Sequence, residues 1–153
     1  MKRFIHILML TALLSGGCAG MMSEHQEDRS PAAMKSAEAM KLLKEHKYPE
    51  SIAAFEKIVE EYPNTGWAAN SLYGMATAYV SVENPHKDYA QALVHFEDFL
   101  FQYPQHERAT DAKNWRQAIK VILDAKKENE RLLKNIEKLK QLDMRQEQKR
   151  LGR

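Results

Sequence analysis

Two segments of this chain are near copies of each other, and any fold it adopts has to accommodate both. The stretch SIAAFEKIVEEYP at residues 51–63 returns 41 positions later as ALVHFEDFLFQYP at 92–104. Setting residues 48–63 on 89–104 superposes Tyr48 on Tyr89, Phe55 on Phe96, Glu56 on Glu97, Tyr62 on Tyr103 and Pro63 on Pro104. Ser51 matches Ala92, Ile52 matches Leu93, Ile58 matches Phe99 and Val59 matches Leu100, so small and apolar positions recur at the three and four spacing of one helix face. Each proline lacks an N–H and pushes the residue before it out of helical angles. Each copy is therefore a helix that ends at its Tyr-Pro pair.

Between the copies, AANSLYGMATAYVSVE carries Leu72, Ala76 and Tyr79 at helical spacing and is broken by Asn84 and Pro85. Upstream, AAMKSAEAMKLLKEH is rich in alanine and places Met34, Ala37, Met40 and Leu43 on one face. Downstream, Ala109, Ala112, Trp115, Ile119 and Ile122 line one face of a further helix, and no proline or glycine follows until Gly152. The pattern predicts helices near 32–46, 48–62, 67–82, 87–102 and 107–148.

This helix, turn, helix, proline unit resembles the tetratricopeptide repeat. Ser51 and Ala92 stand at its small packing position, Phe55 and Phe96 at its aromatic position, and Pro63 and Pro104 at its terminal proline. The resemblance implies an all-α array of about two and a half helical hairpins, with a long C-terminal helix extending into a coiled-coil-like tail. The family period is about 34 residues, so seven residues are inserted, which the sequence places partly in VENPHKD and partly in NTGW. The YP…A cadence with stretched repeats is similar to the small tetratricopeptide lipoproteins of the outer-membrane β-barrel assembly machinery.

The first residues supply an address. MKRFIHILMLTALLSGGCAG has two basic residues, an apolar run from Phe4 to Leu14 and then small residues up to Cys18, the layout of an export signal. The run is well short of the roughly 20 apolar residues that span a bilayer. Cys18 is the only cysteine, which excludes an internal disulfide and a multi-cysteine zinc site. LLSGGC resembles the lipobox of bacterial lipoproteins, although Ser15 occupies the place where that family prefers leucine. The resemblance implies cleavage before Cys18, lipidation of its thiol, and an outer-membrane location facing the periplasm, since Ala19 is not the aspartate that retains many such proteins on the inner membrane. The expected divisions are a signal at 1–17, a lipidated linker at 18–31, the repeat domain at 32–125 and a basic tail at 126–153.

Loss of the signal removes two of the 23 basic residues and leaves 21 against 21 acidic ones. Residues 126–153 hold ten Lys/Arg against five Asp/Glu, so a basic arm is attached to an acidic body. Along that arm Ile122, Ala125, Asn129, Leu132, Ile136 and Leu139 alternate three and four apart, a coiled-coil seam with Asn129 at an a position. Leu133 and Leu142 widen the stripe, which suits a bundle or a partner's groove; a helix folded back on its own repeats would use the same stripe. LLKNIEKLKQLDMRQEQKR is also similar to the end of small outer-membrane lipoproteins whose genes lie beside a sensor kinase that they tune.

Catalytic chemistry has no foothold in the sequence. The six histidines form no i, i+4 pair and no HExxH, and there is neither a Gly-rich phosphate loop nor a nucleophile elbow. No metal site, no cofactor and no enzymatic activity are expected, and the absence of an aromatic-interleaved basic motif argues against nucleic acid. The expected function is a protein–protein interaction adaptor held to the outer membrane by its lipid and docking other envelope proteins, with outer-membrane assembly as its context. The alternatives are an accessory protein tuning a sensor kinase and a homo-oligomeric scaffold built through the tail. Candidate partner-binding residues are Asn70, Tyr73 and Thr77 on the concave face of the array, and Leu132, Leu133, Ile136 and Leu139 on the tail.

Overall fold

A computed structural model describes residues 28–152; the expected signal, its expected cleavage site and Cys18, the expected lipid site, lie outside the described residues. Five helices follow one another: α1 (Pro31–Lys44), α2 (Tyr48–Glu61), α3 (Gly66–Val80), α4 (Tyr89–Gln102) and α5 (Ala109–Leu151). Each packs on the next, and α1 also touches α3, so the first helices of successive hairpins share one side of the stack. This is the expected tetratricopeptide-like array.

The helix ends explain the boundaries. Pro31 opens α1 behind Ser30, whose hydroxyl accepts from the Ala33 N–H, and Thr65 and Asp88 cap α3 and α4 in the same manner. α1 stops two residues before its expected end because His46 takes a positive φ of 61°. α3 stops at Val80 because Ser81 is extended. The two Tyr-Pro pairs adopt the same backbone, with Tyr62 at φ −128°, ψ 52° and Tyr103 at φ −129°, ψ 56°. Each tyrosine N–H closes the last turn on a carbonyl four residues back, Ile58 or Phe99. The repetition in sequence is thus a repetition of one helix terminator.

Most of the extra length of the second hairpin falls in its turn. Residues 45–47 join α1 to α2, whereas 81–88 join α3 to α4. NTGW, expected to share the insertion, instead forms the cap and first turn of α3. The longer turn is stapled to α3: the buried Asn84 donates from Nδ2 to the Ala78 carbonyl at 2.9 Å and accepts at Oδ1 from the His86 N–H at 2.8 Å. The Asp88 N–H then reaches back to the Tyr79 carbonyl at 3.0 Å.

The core runs through the stack as a string of small and aromatic residues. Ala39, Phe55, Ile58, Ala69, Leu72, Ala76, Ala92, Phe96, Phe99, Ala112 and Ile119 are all buried. Ser51, at the small position, is fully buried, and its hydroxyl donates to the Ala39 carbonyl at 3.0 Å, so its burial leaves no donor unmet. Gly74 of α3 faces the Phe55 ring so closely that a Cβ there would lie 2.7 Å from the ring's far edge. α2 and α3 approach as they do because that position has no side chain.

On α5 the inward face differs from the expected one. Ala109, Ala112 and Ile119 are buried as anticipated, but Trp115 and Ile122 are 41% and 39% exposed, and Leu123 packs against the core in place of Ile122. Past Leu123 the helix leaves the body. Every residue from Asp124 to Gly152 is exposed, so the tail does not fold back on the repeats. At 1.5 Å per residue, residues 124–151 project about 42 Å.

Candidate functional site

The side of the stack shared by α3 and α5 carries a groove of about 290 Å³, lined by Tyr73 of α3 and by Asp111, Asn114, Trp115 and Ala118 of α5. Tyr73 is its floor. Its ring stands edge-on to Phe96 at 5.6 Å and to Phe99 at 5.8 Å, while the Arg108 guanidinium lies 5.0 Å above its centroid. Burial pushes the Tyr73 hydroxyl above its ordinary pKa, helped by the Asp111 carboxylate; the Arg108 charge and a hydrogen bond with Trp115 oppose the shift. The phenol is therefore a neutral donor and acceptor at any physiological pH.

Trp115 is the opposite wall. Its indole stacks on Phe96, with centroids 6.3 Å apart and planes 5° from parallel, and it keeps its other side toward the groove. The site thus joins a fixed aromatic pair to a mixed polar rim of Arg108, Asp111 and Asn114. Such a surface suits an apolar side chain of a docked segment with its backbone on the rim.

The concave-face candidates fare unequally. Tyr73 lines the groove, whereas Asn70 and Thr77 do not, and the Thr77 hydroxyl is spent on its own helix, donating to the Gly74 carbonyl at 2.8 Å. Asp111, Asn114, Trp115 and Ala118 were not anticipated. Trp115, expected on one face with Ala112 and Ile119, packs on Phe96 yet stays 41% exposed, and the signal for that is its place two turns before Ile122, at the head of the tail's apolar stripe. That stripe is the second surface. Leu132, Leu133, Ile136 and Leu139 are 46%, 65%, 61% and 62% exposed and share one long face of α5.

A second cleft, of about 370 Å³, lies between Tyr48, Ile52 and Glu56 of α2 and Tyr79 and His86. Beside it the Tyr48 hydroxyl bonds Ser81 Oγ at 2.9 Å and His46 Nδ1 at 3.1 Å, and His46 pairs with Glu83 at 2.9 Å. These bonds tie the two hairpin turns together. Among the described residues no three His, Cys, Asp or Glu side chains gather as metal ligands, and no helix is long and apolar enough to cross a membrane.

The profile of the outer membrane lipoprotein family YfiO matches residues 29–145. The chain belongs to this family. The match begins two residues before α1 and runs well into the tail, so the projecting part of α5 up to Arg145 falls within the family's extent. No curated protein and no solved structure matches the chain. Membership gives the chain an outer-membrane lipoprotein's setting and a role in protein–protein interaction at that membrane.

Proposed function

We propose that the protein is a non-enzymatic adaptor, tethered through lipid on Cys18 to the periplasmic face of the outer membrane, that docks other envelope proteins during outer-membrane assembly. The observation that carries this reading is the Tyr73–Trp115 groove: two aromatic rings packed on Phe96, Trp115 exposed and Tyr73 part-buried, on the side of the array where first helices line up. Rigid aromatic anchors beside a polar rim concentrate binding energy. Neither a cofactor nor nucleic acid enters the reading. The lipid supplies the address, and two or more acyl chains, each contributing about 0.8 kcal/mol per buried methylene, hold stably where one would not.

The test is purification of the lipidated protein from detergent-solubilised outer membranes as wild type, Trp115→Glu and Val94→Glu. Val94 is exposed on α4 and does not line the groove. Components of β-barrel assembly should accompany the wild type and Val94→Glu and be lost with Trp115→Glu. Retention with Trp115→Glu would rule the groove out, and a sensor kinase in place of assembly components would move the function to kinase tuning.

A further inference from the structure

Among the described residues no element covers the tail's apolar stripe, and its residue types point to the occupant: we infer that α5 pairs in parallel and in register with α5 of a second copy of this chain, over residues 122–142. The inference rests on the tail alone and stands or falls independently of the groove.

The seam is read from α5 itself. With Ile122, Asn129 and Ile136 at a and Ala125, Leu132 and Leu139 at d, isoleucine holds two of the three a positions and leucine two of the three d positions, the combination that favours two parallel strands, and the lone Asn at the remaining a position sets register. Among the described residues nothing covers these positions, since every residue from Asp124 to Gly152 is exposed and Ile122 is only partly covered. At 3.6 residues per turn, the seam lies about a third of a turn around α5 from the Ala112 and Ile119 face that holds the body. Two bodies can therefore sit on either side of a central pair of tails.

Orientation is decided by weighing apolar layers against charges. In parallel register Ile122, Ala125, Leu132, Ile136 and Leu139 each meet their own counterpart, and Asn129 meets Asn129, where two side-chain amides can bond each other. The flanks bring Glu128 to Leu133, Val121 to Lys126, Asn135 to Lys140 and Leu142 to Glu147, with no like charges opposed. The antiparallel register with the best charge matching sets Lys126 against Glu147 and Glu128 against Lys149. It also sets Leu132 against Asp143, Asn129 against Gln146 and Ala125 against Arg150, keeping only Ile136 on Leu139 as an apolar layer. An exposed ion pair contributes a small fraction of what burying one leucine does, so that register loses. The antiparallel register that overlaps the seam on itself pairs Ile122 with Leu139 and Ala125 with Ile136 but sets Asn129 against Leu132, leaving both amides unpartnered, so the parallel arrangement wins. Asp143, at the next a position, would face its own counterpart and ends the pairing. Two chains anchored in one membrane meet at high effective concentration, which suits a zipper of only three heptads.

Cysteine cross-linking in a Cys18→Ser chain, which has no other thiol, tests the geometry, with sedimentation across the micromolar range giving the mass. A chain with Leu139→Cys should form a disulfide-linked dimer on mild oxidation, and one with Lys134→Cys, on the opposite face of α5, should not. Mixing Ile136→Cys chains with Leu139→Cys chains should yield no mixed species. The Leu132→Lys/Ile136→Lys chain should dimerise at least tenfold more weakly with unchanged thermal unfolding of the body. A monomer at every concentration, a trimer or larger species, or efficient 136-to-139 cross-linking would overturn the inference.

Discussion

Replacing Gly74 with alanine tests the tightest contact in the array. In an open helix, glycine to alanine stabilises by about 1 kcal/mol. Here the new methyl would sit 2.7 Å from two carbons of the Phe55 ring, which is almost fully buried and enclosed by the core, so the ring or the α2–α3 spacing must shift. Overpacking of this kind costs about 1–3 kcal/mol, leaving a net loss of up to about 2 kcal/mol, or a fall in Tm of up to about 8 °C at roughly 4 °C per kcal/mol. Shortening the ring should reverse the sign: in a Phe55→Leu background the clash is gone and Gly74→Ala should gain about 1 kcal/mol, a coupling of about 1–3 kcal/mol between the two sites. Urea unfolding followed by tryptophan fluorescence reads this cycle, because both tryptophans, Trp67 and Trp115, lie in the body rather than the tail. Gly74→Ala stabilising both backgrounds equally would refute the close approach of α2 and α3.

Asn84→Ala should destabilise by about 1–3 kcal/mol, since it strips the staple that joins the long turn to Ala78 and His86, and chemical denaturation measures it. Burial holds the His95 imidazole below its ordinary pKa, against the opposing pull of Asp98 and Glu56; the ring stacks on Tyr79 at 5.6 Å, and its Nδ1 has no partner among the described residues. The unfolded chain then binds this proton more readily, so the contribution is fully present above about pH 6.5 and is lost as pH falls through the depressed folded value. His95→Leu should remove that part of the acid-side slope in stability against pH. Cys18→Ser should abolish palmitate labelling and release the protein from the membrane fraction, and continued labelling would exclude Cys18 as the lipid site.

The parts of this fold legible in the sequence are those fixed by short-range chemistry. Tyr62-Pro63 and Tyr103-Pro104 announced two identical helix ends because proline constrains its predecessor whatever surrounds it. Phe55, Phe96, Ser51 and Ala92 were placed in the core by their spacing and by the repeat they resemble, and all four are buried. Spacing was ambiguous on α5, where two apolar stripes run side by side: Ala112, Ile119 and Leu123 join the core, whereas Ala118 and Ile122 stay exposed and Trp115, though stacked on Phe96 of α4, keeps 41% of its surface in solvent. Both obey the three and four rule, so only the packing angle of α5 on α4 separates them, and that angle is a tertiary property. The groove was half seen for this reason. Tyr73 was reachable from α3's own periodicity, but its opposite wall depends on where α5 docks. Asn70 and Thr77 were drawn in by proximity on the helix surface, while the hydroxyl of Thr77 satisfies itself locally.

The central claim is that the α3–α5 groove is where envelope proteins dock, and site-specific photo-crosslinking in living cells tests it most directly. A photoreactive residue at Asn114, on the exposed rim of the groove, is compared with one at Val94 on α4, outside it. The account predicts adducts with β-barrel assembly proteins from position 114 and none from position 94. Equal adducts from both positions, or none from position 114 in cells where the protein is membrane-bound, would contradict it.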